Sequence, residues 1–257
     1  MKRKLRYGLL TSICVGAVAA GVLVSRRVLP QAEQHGRTRP FVAQIIEKHF
    51  GPNGNLAPLP GGIDYITVAR KSDGSQVRFL PIQEPDGSFE LPRNIFDVSG
   101  KQVIVAPSIK SMTTYYVAPP HVAHYIAHFE SCPPAAAGPD APRSSRLGYE
   151  VVEITTKTTN SRGTQEVDRW VAPALNCFVL AETNTSPFGS RNETEVINIF
   201  EGEPPDSWFT VPEGYTERSP SQVAAAFEAR FPGHKFMPEQ GLAMGEQSYR
   251  SHRSPQQ

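Results

Sequence analysis

Three histidines, His121, His124 and His128, crowd into the segment PPHVAHYIAHFESC, residues Pro119–Cys132. On a helix His124 and His128 stand at i and i+4, the spacing of a metal-binding pair, with His121 three residues earlier. The segment holds no HExxH arrangement, and Glu130 falls outside the pattern. A polar helix face accounts for the three, and no metal or other cofactor is expected. Cys177 lies in EVDRWVAPALNCFVLAET. A cysteine nucleophile needs a base and a group that orients it, and no motif brings either. There is no GxSxG elbow and no P-loop. The pairs Glu150/Glu153 and Glu193/Glu195 sit in strand-like runs, where carboxylates face solvent more readily than they flank a glycosidic bond. No residue is expected to be catalytic, and the chain does not read as an enzyme.

The elements that would carry these residues are mostly strands. With 24 prolines and 20 glycines in 257 residues, the chain is rich in turns. IDYITVARKSDGSQVRFLP holds two strands around Asp73-Gly74, and IQEPDGSFELP repeats the pattern around Asp86-Gly87. Two more strands flank Ala106-Pro107-Ser108. In the second half, runs of alternating character are separated by turns at Asn160–Gly163 and Ser186–Gly189. Successive hairpins predict an antiparallel sheet. Helices are expected at Phe41–Phe50, at Pro119–Cys132 through an apolar face of Val122, Tyr125, Ile126 and Phe129, and at Ser219–Phe231. The last has Ser219 as cap, Pro220 at its first position and Gln222 completing a capping box.

The amino terminus points to an extracytoplasmic compartment rather than a cytoplasmic one. Lys2, Arg3, Lys4 and Arg6 precede Tyr7 to Ser25, 19 residues without a charge. At ~1.5 Å per residue a helix of that length nearly crosses a bilayer core of roughly 30 Å. The segment 1–27 reads either as an uncleaved anchor or as a cleaved signal peptide. Both place the body outside the cytoplasm, membrane-anchored or free in the periplasm. Residues 28–40 read as a tether and 41–236 as one β-rich domain. Within that domain 133–146 is a proline-rich linker, and 237–257 reads as a disordered tail. Beyond residue 27 the chain carries 20 basic and 25 acidic residues, which excludes a broad basic face for nucleic acid. In an oxidising space Cys132 and Cys177 could pair as a disulfide, or stay independent. Asn184-Thr185-Ser186 and Asn192-Glu193-Thr194 are glycosylation sequons.

A longer pattern runs through VDRWVAPALNCFVLAET and TEVINIFEGEPPDSWFTVPEGY. Its positions are Trp170, Pro173, Leu175, Asn198, Ile199, Glu203, Pro204, Phe209, Val211, Pro212, Gly214 and Tyr215. It resembles an exported bacterial group whose strand order looks like the half-barrel of the LolA/LppX/RseB-like superfamily of lipoprotein carriers and envelope sensors. The resemblance covers about 60–215. It implies a curved antiparallel sheet with two or three helices that holds a lipid or acyl chain in its concave face, with lipid or lipoprotein as partner. The alternative is a structural or protein-interaction module of the envelope, or an envelope sensor, with no small ligand. Tyr115, Trp170 and Phe178 are the candidate ligand-binding residues. None of the matching residues is an acid, base or nucleophile in a known role.

Overall fold

A computed structural model describes residues 39–57, 65–116, 140–161 and 163–253. Among them, fifteen strands and two α-helices follow one another. The first half holds β1 (Phe41–Phe50), β2 (Leu56–Ala57), β3 (Ile66–Arg70), β4 (Gln76–Phe79), β5 (Ile82–Gln83), β6 (Phe89–Glu90), β7 (Arg93–Phe96), β8 (Lys101–Ala106) and β9 (Ser111–Tyr116). The second holds β10 (Arg143–Arg146), β11 (Tyr149–Asn160), β12 (Gly163–Ala172), β13 (Phe178–Thr185), β14 (Arg191–Glu201) and β15 (Thr216–Glu217), then α1 (Pro220–Arg230) and α2 (Glu239–Ser251).

The main sheet runs β10-β11-β12-β13-β14-β1-β3-β4-β7-β8-β9-β15, with β2 beside β1, and it does not close on itself. Every pair is antiparallel except β15 on β9. β5 and β6 form a separate hairpin. The chain is therefore mainly β, as its turn spacing predicts. β1 is the seam, pairing with β14 on one side and β3 on the other, and so joining the two halves.

Three expectations are corrected. Phe41–Phe50 is a strand, not a helix. Its burial alternates, with Phe41, Ala43 and Ile45 inside, and the β-branched Val42, Ile45 and Ile46 suit a pleated surface. Within the expected linker, Arg143–Arg146 is a strand paired with β11. The turn between them needs positive φ at both Leu147 (50°) and Gly148 (81°), which glycine gives freely and leucine does not. Within the expected disordered tail, Glu239–Ser251 is helical. Ser221 and Glu246 join it to α1, and the Tyr249 ring meets Tyr115 edge-on at 5.9 Å. The Ser219 capping box of α1 forms as read. The expected span at 7–25 and the helix at Pro119–Cys132 lie outside the described residues. Among the described residues no helix is long and apolar enough to cross a membrane.

Two similar corners shape the sheet. Ala106-Pro107-Ser108-Ile109-Lys110 turns β8 into β9, and Ala172-Pro173-Ala174-Leu175-Asn176 turns β12 into β13. Each is one 3-10 turn with proline at its start and a left-handed residue at its end, Lys110 at φ 44° and Asn176 at φ 54°. An arginine reaches the equivalent carbonyl in both. Arg218 donates to Ile109 O at 3.0 Å, and Arg70 donates to Leu175 O at 2.7 Å. Arg70 is fully buried, stacks its guanidinium 4.6 Å from the Phe41 ring centre and also donates to Arg39 O.

Apolar residues gather in two main cores. One combines Phe41, Ala43, Ile45 and Val68 with Val151, Ala172, Leu175, Phe178, Leu180 and Val196, a belt running from β11 through β1 to β3. The other, around Ala69, Val77, Ile95, Val103 and Val105, is covered by Trp208, Phe209, Val211 and Tyr215. Replacing Arg70 by alanine removes the stack on Phe41 and leaves the Leu175 carbonyl unpaired inside. We expect Arg70→Ala to lower the unfolding free energy by about 3 kcal/mol in urea titrations.

Candidate functional site

The half of the sheet from β10 to β14 curls enough for non-neighbouring strands to touch. Tyr149 on β11 donates its hydroxyl to Glu201 on β14 at 2.6 Å, although β12 and β13 lie between them in the sheet. Arg146 on β10 covers the Trp170 ring at 4.8 Å and approaches Glu195 on β14 at 3.7 Å. These two bridges span the hollow of the curl. Beneath them the belt is filled: Leu175, Leu180 and Val151 are essentially without exposure, and the Phe178 ring lies 4.5 Å from that of Phe41. The half-buried margin of the belt is Ile66, Tyr149, Trp170 and Ile199.

Past the belt, five strands continue as a flange with polar side chains on both faces. Thr155, Asp168, Thr183, Glu193 and Lys48 form one cross-strand row. Thr156, Val167, Asn184, Asn192 and His49 form the next, on the opposite face because successive strand residues alternate. The rows hold themselves together. Thr155 donates to Asp168 at 2.6 Å, Gln165 to Asn184 at 2.9 Å, and His49 shares a hydrogen bond with Asn192 at 2.8 Å. Both sequon asparagines are therefore ladder members.

The three candidate ligand residues separate. Trp170 and Phe178 share the belt, Trp170 at its margin and Phe178 inside it at 3% exposure. Tyr115 sits at the other end of the sheet, against Tyr249. Strand alternation does not reveal this, because Tyr115 and Trp170 belong to different halves of one long sheet. Of the bridging residues, Arg146, Tyr149 and Glu201 were not singled out from sequence, and Glu195 was named only as one of a pair of solvent-facing carboxylates. The signal that would find them is the Leu147-Gly148 turn, which makes Arg146 and Tyr149 direct neighbours.

Two open clefts lie elsewhere. Lys71, Ser72, Asp73, Glu203, Pro204, Pro205 and Asp206 line one of about 490 Å³. There Lys71 meets Asp206 at 2.8 Å, and that hydrogen bond raises the lysine pKa and lowers that of the carboxylate. The Ser72 N–H donates to Glu203 at 3.1 Å. Both contacts tie the β3–β4 hairpin to the segment after β14. The second cleft, about 550 Å³, lies along α2 at Ala243, Glu246, Gln247, Arg250 and Ser251. Neither is an apolar pocket lined by sheet aromatics. Among the described residues no cluster of three or more His, Cys, Asp or Glu could hold a metal ion. His121, His124 and His128 lie outside them.

Cys177 is no nucleophile in waiting. It is 5% exposed, has φ 60° and packs with Val152 and Val171. Cys132, its expected partner, lies outside the described residues.

No family model matches the chain, and no curated protein matches it by sequence. Among solved structures it is similar to an uncharacterized conserved protein of Thermus thermophilus, at 8% identity over 70% of this chain and 91% of that one, with a TM-score of 0.41. It is also similar to a LolA superfamily protein of Nitrosomonas europaea, at 12% identity over 67% and 90%, TM-score 0.31. A third is the lipoprotein LppX of Mycobacterium tuberculosis, at 9% identity over 69% and 91%, TM-score 0.32. The last two carry the names of the superfamily that the sequence motifs resemble.

The Tyr149–Glu201 bridge has a pH signature. Burial and the hydrogen bond to Glu201 push the Tyr149 phenol up to about 12 from an ordinary value of 10.0. A pKa raised on folding contributes stability that is present below the unfolded value and lost as pH rises through the folded one. Wild-type stability should therefore fall between pH 10 and about 12, and Tyr149→Phe should flatten that part of the profile in chemical denaturation.

Proposed function

We propose that this protein is a non-enzymatic binding protein of the bacterial envelope that takes a lipid or acyl chain against the hollow of its curled sheet. The observation that carries the reading is the apolar belt across six adjacent strands of an open sheet, with Trp170, Tyr149, Ile66 and Ile199 half-buried along its margin. An acyl chain laid on that margin would gain ~25 cal/mol per Å² of apolar surface removed from water, before ordering costs. The bridges Arg146–Glu195 and Tyr149–Glu201 would frame it with polar groups, the usual composition of a small-molecule site. The amino-terminal segment 1–27 would deliver the body to the periplasmic side, anchored or released, and an exported location suits a disulfide at Cys177.

A second reading is a structural or protein-interaction module. The filled floor of the belt, with Leu175 and Phe178 closed in, favours it. Native mass spectrometry of the full chain purified from membranes separates the two. The carrier reading expects one lipid class bound near one per chain, reduced at least tenfold in Trp170→Glu. A folded chain that repeatedly carries no lipid would sink it.

We further propose Cys132 as the partner of Cys177, fixing the segment before β10 against Val152 and Val171. Peptide maps with and without reductant should show one linked peptide holding both residues. Free Cys132 in the unreduced map would contradict the pairing.

A further inference from the structure

Among the described residues the outer edge of β11 is unpaired for most of its length. β10 covers it only from Tyr149 to Val152, and the last bond on that side is Glu153 N–H to Pro142 O at 3.0 Å. Residues Asp140 and Ala141 then leave the line of β10, and Ala141 packs beside Val152 and Cys177. β11 continues to Asn160 in unbroken register with β12. Backbone groups on a strand point alternately to its two sides. Since Glu153 points outward, Thr155, Lys157 and Thr159 do so too. Among the described residues nothing meets their N–H and C=O groups. The open stretch is about 17 Å long at ~3.4 Å per residue.

Lys157 apart, this edge carries few of the devices that keep a strand from pairing. It has no proline and no bulge, and its residues Thr155–Thr159 read TTKTT, four β-branched residues around one lysine. That lysine is matched internally, by Glu166 across the hairpin at 3.0 Å. The basic residues of the neighbouring β10 are matched as well, Arg143 by Glu150 and Arg146 by Glu195. The basic residues along this edge are thus each matched within the chain.

We propose that β11 is a strand-pairing surface for a second copy of this chain, joined antiparallel about a two-fold axis at Lys157. In that register Thr155 stands opposite Thr159 of the second copy. The three outward residues on each strand then make six main-chain hydrogen bonds. Cross-strand threonine pairs are favourable, and the two lysines meet already held by their own Glu166. A two-fold pairing of this kind is the commonest closed assembly. The surface buried is that of one strand edge, so the dimer is a weak one that forms at high local concentration. The proposal is independent of lipid binding, because β11 beyond Glu153 lies outside the belt.

Sedimentation velocity of the full chain in detergent, over a wide concentration range, tests it alongside hydrogen exchange. Wild type should form dimers, and the amides of Thr155, Lys157 and Thr159 should gain protection as concentration rises. Thr159→Pro deletes one outward N–H and leaves the bonds to β12 intact. T156K/T158K sets lysine against lysine across the axis from exposed positions. Each should weaken dimerisation at least tenfold with an unchanged circular dichroism spectrum. A wild-type monomer at every concentration, as when residues 117–139 cover the edge, would overturn the proposal. So would a dimer that both variants leave unchanged.

Discussion

One buried cation holds the two halves of this sheet in register. Arg70 ends β3, lies under the Phe41 ring and donates to the carbonyl of Leu175, at the corner between β12 and β13. A guanidinium removed from water is costly unless its donors are occupied. Carbonyls of Leu175 and Arg39 occupy them here. The bond crosses from one half of the sheet to the other over β13, β14 and β1, so it sets how far the second half curls. The equivalent corner in the first half is held in the same way by Arg218 on Ile109, from outside the core rather than within it. The curl, and with it the meeting of Tyr149 with Glu201, follows from where that inner corner is pinned.

The curl divides the second half into three zones. At its floor, close packing leaves no room for a guest. Along the margin, half-buried Trp170 and Tyr149 combine apolar area with charged neighbours. Beyond it, the flange has no core to cover, so its two faces are polar and its rows are held by side-chain hydrogen bonds. A sheet region without a buried face has a weakly specified register and depends on such pairs, here Thr155–Asp168 and His49–Asn192.

Much of this was legible in the residues. Asp73-Gly74, Asp86-Gly87 and the Ala-Pro corners announce successive hairpins because their backbone needs are local. The α1 cap was legible for the same reason. Phe41–Phe50 was not, since FVAQIIEKHF satisfies a helical spacing as readily as an alternating one, and only pairing with β14 and β3 decides. β10 was hidden because Leu147 adopts a left-handed conformation that its side chain disfavours. Trp170 and Phe178 were found together as aromatics on adjacent strands. Their separation from Tyr115, and the roles of Arg146 and Glu195, depend on a curl fixed by contacts distant in sequence.

The central claim is that the margin of the belt receives an acyl chain. A photoreactive fatty acid crosslinked to the full chain tests it most directly, with the labelled residues read by peptide sequencing. The account predicts labels at Trp170, Tyr149, Ile66 or Ile199, lost on competition with the unlabelled fatty acid. Labels confined to the cleft along α2, or none that compete, would contradict it.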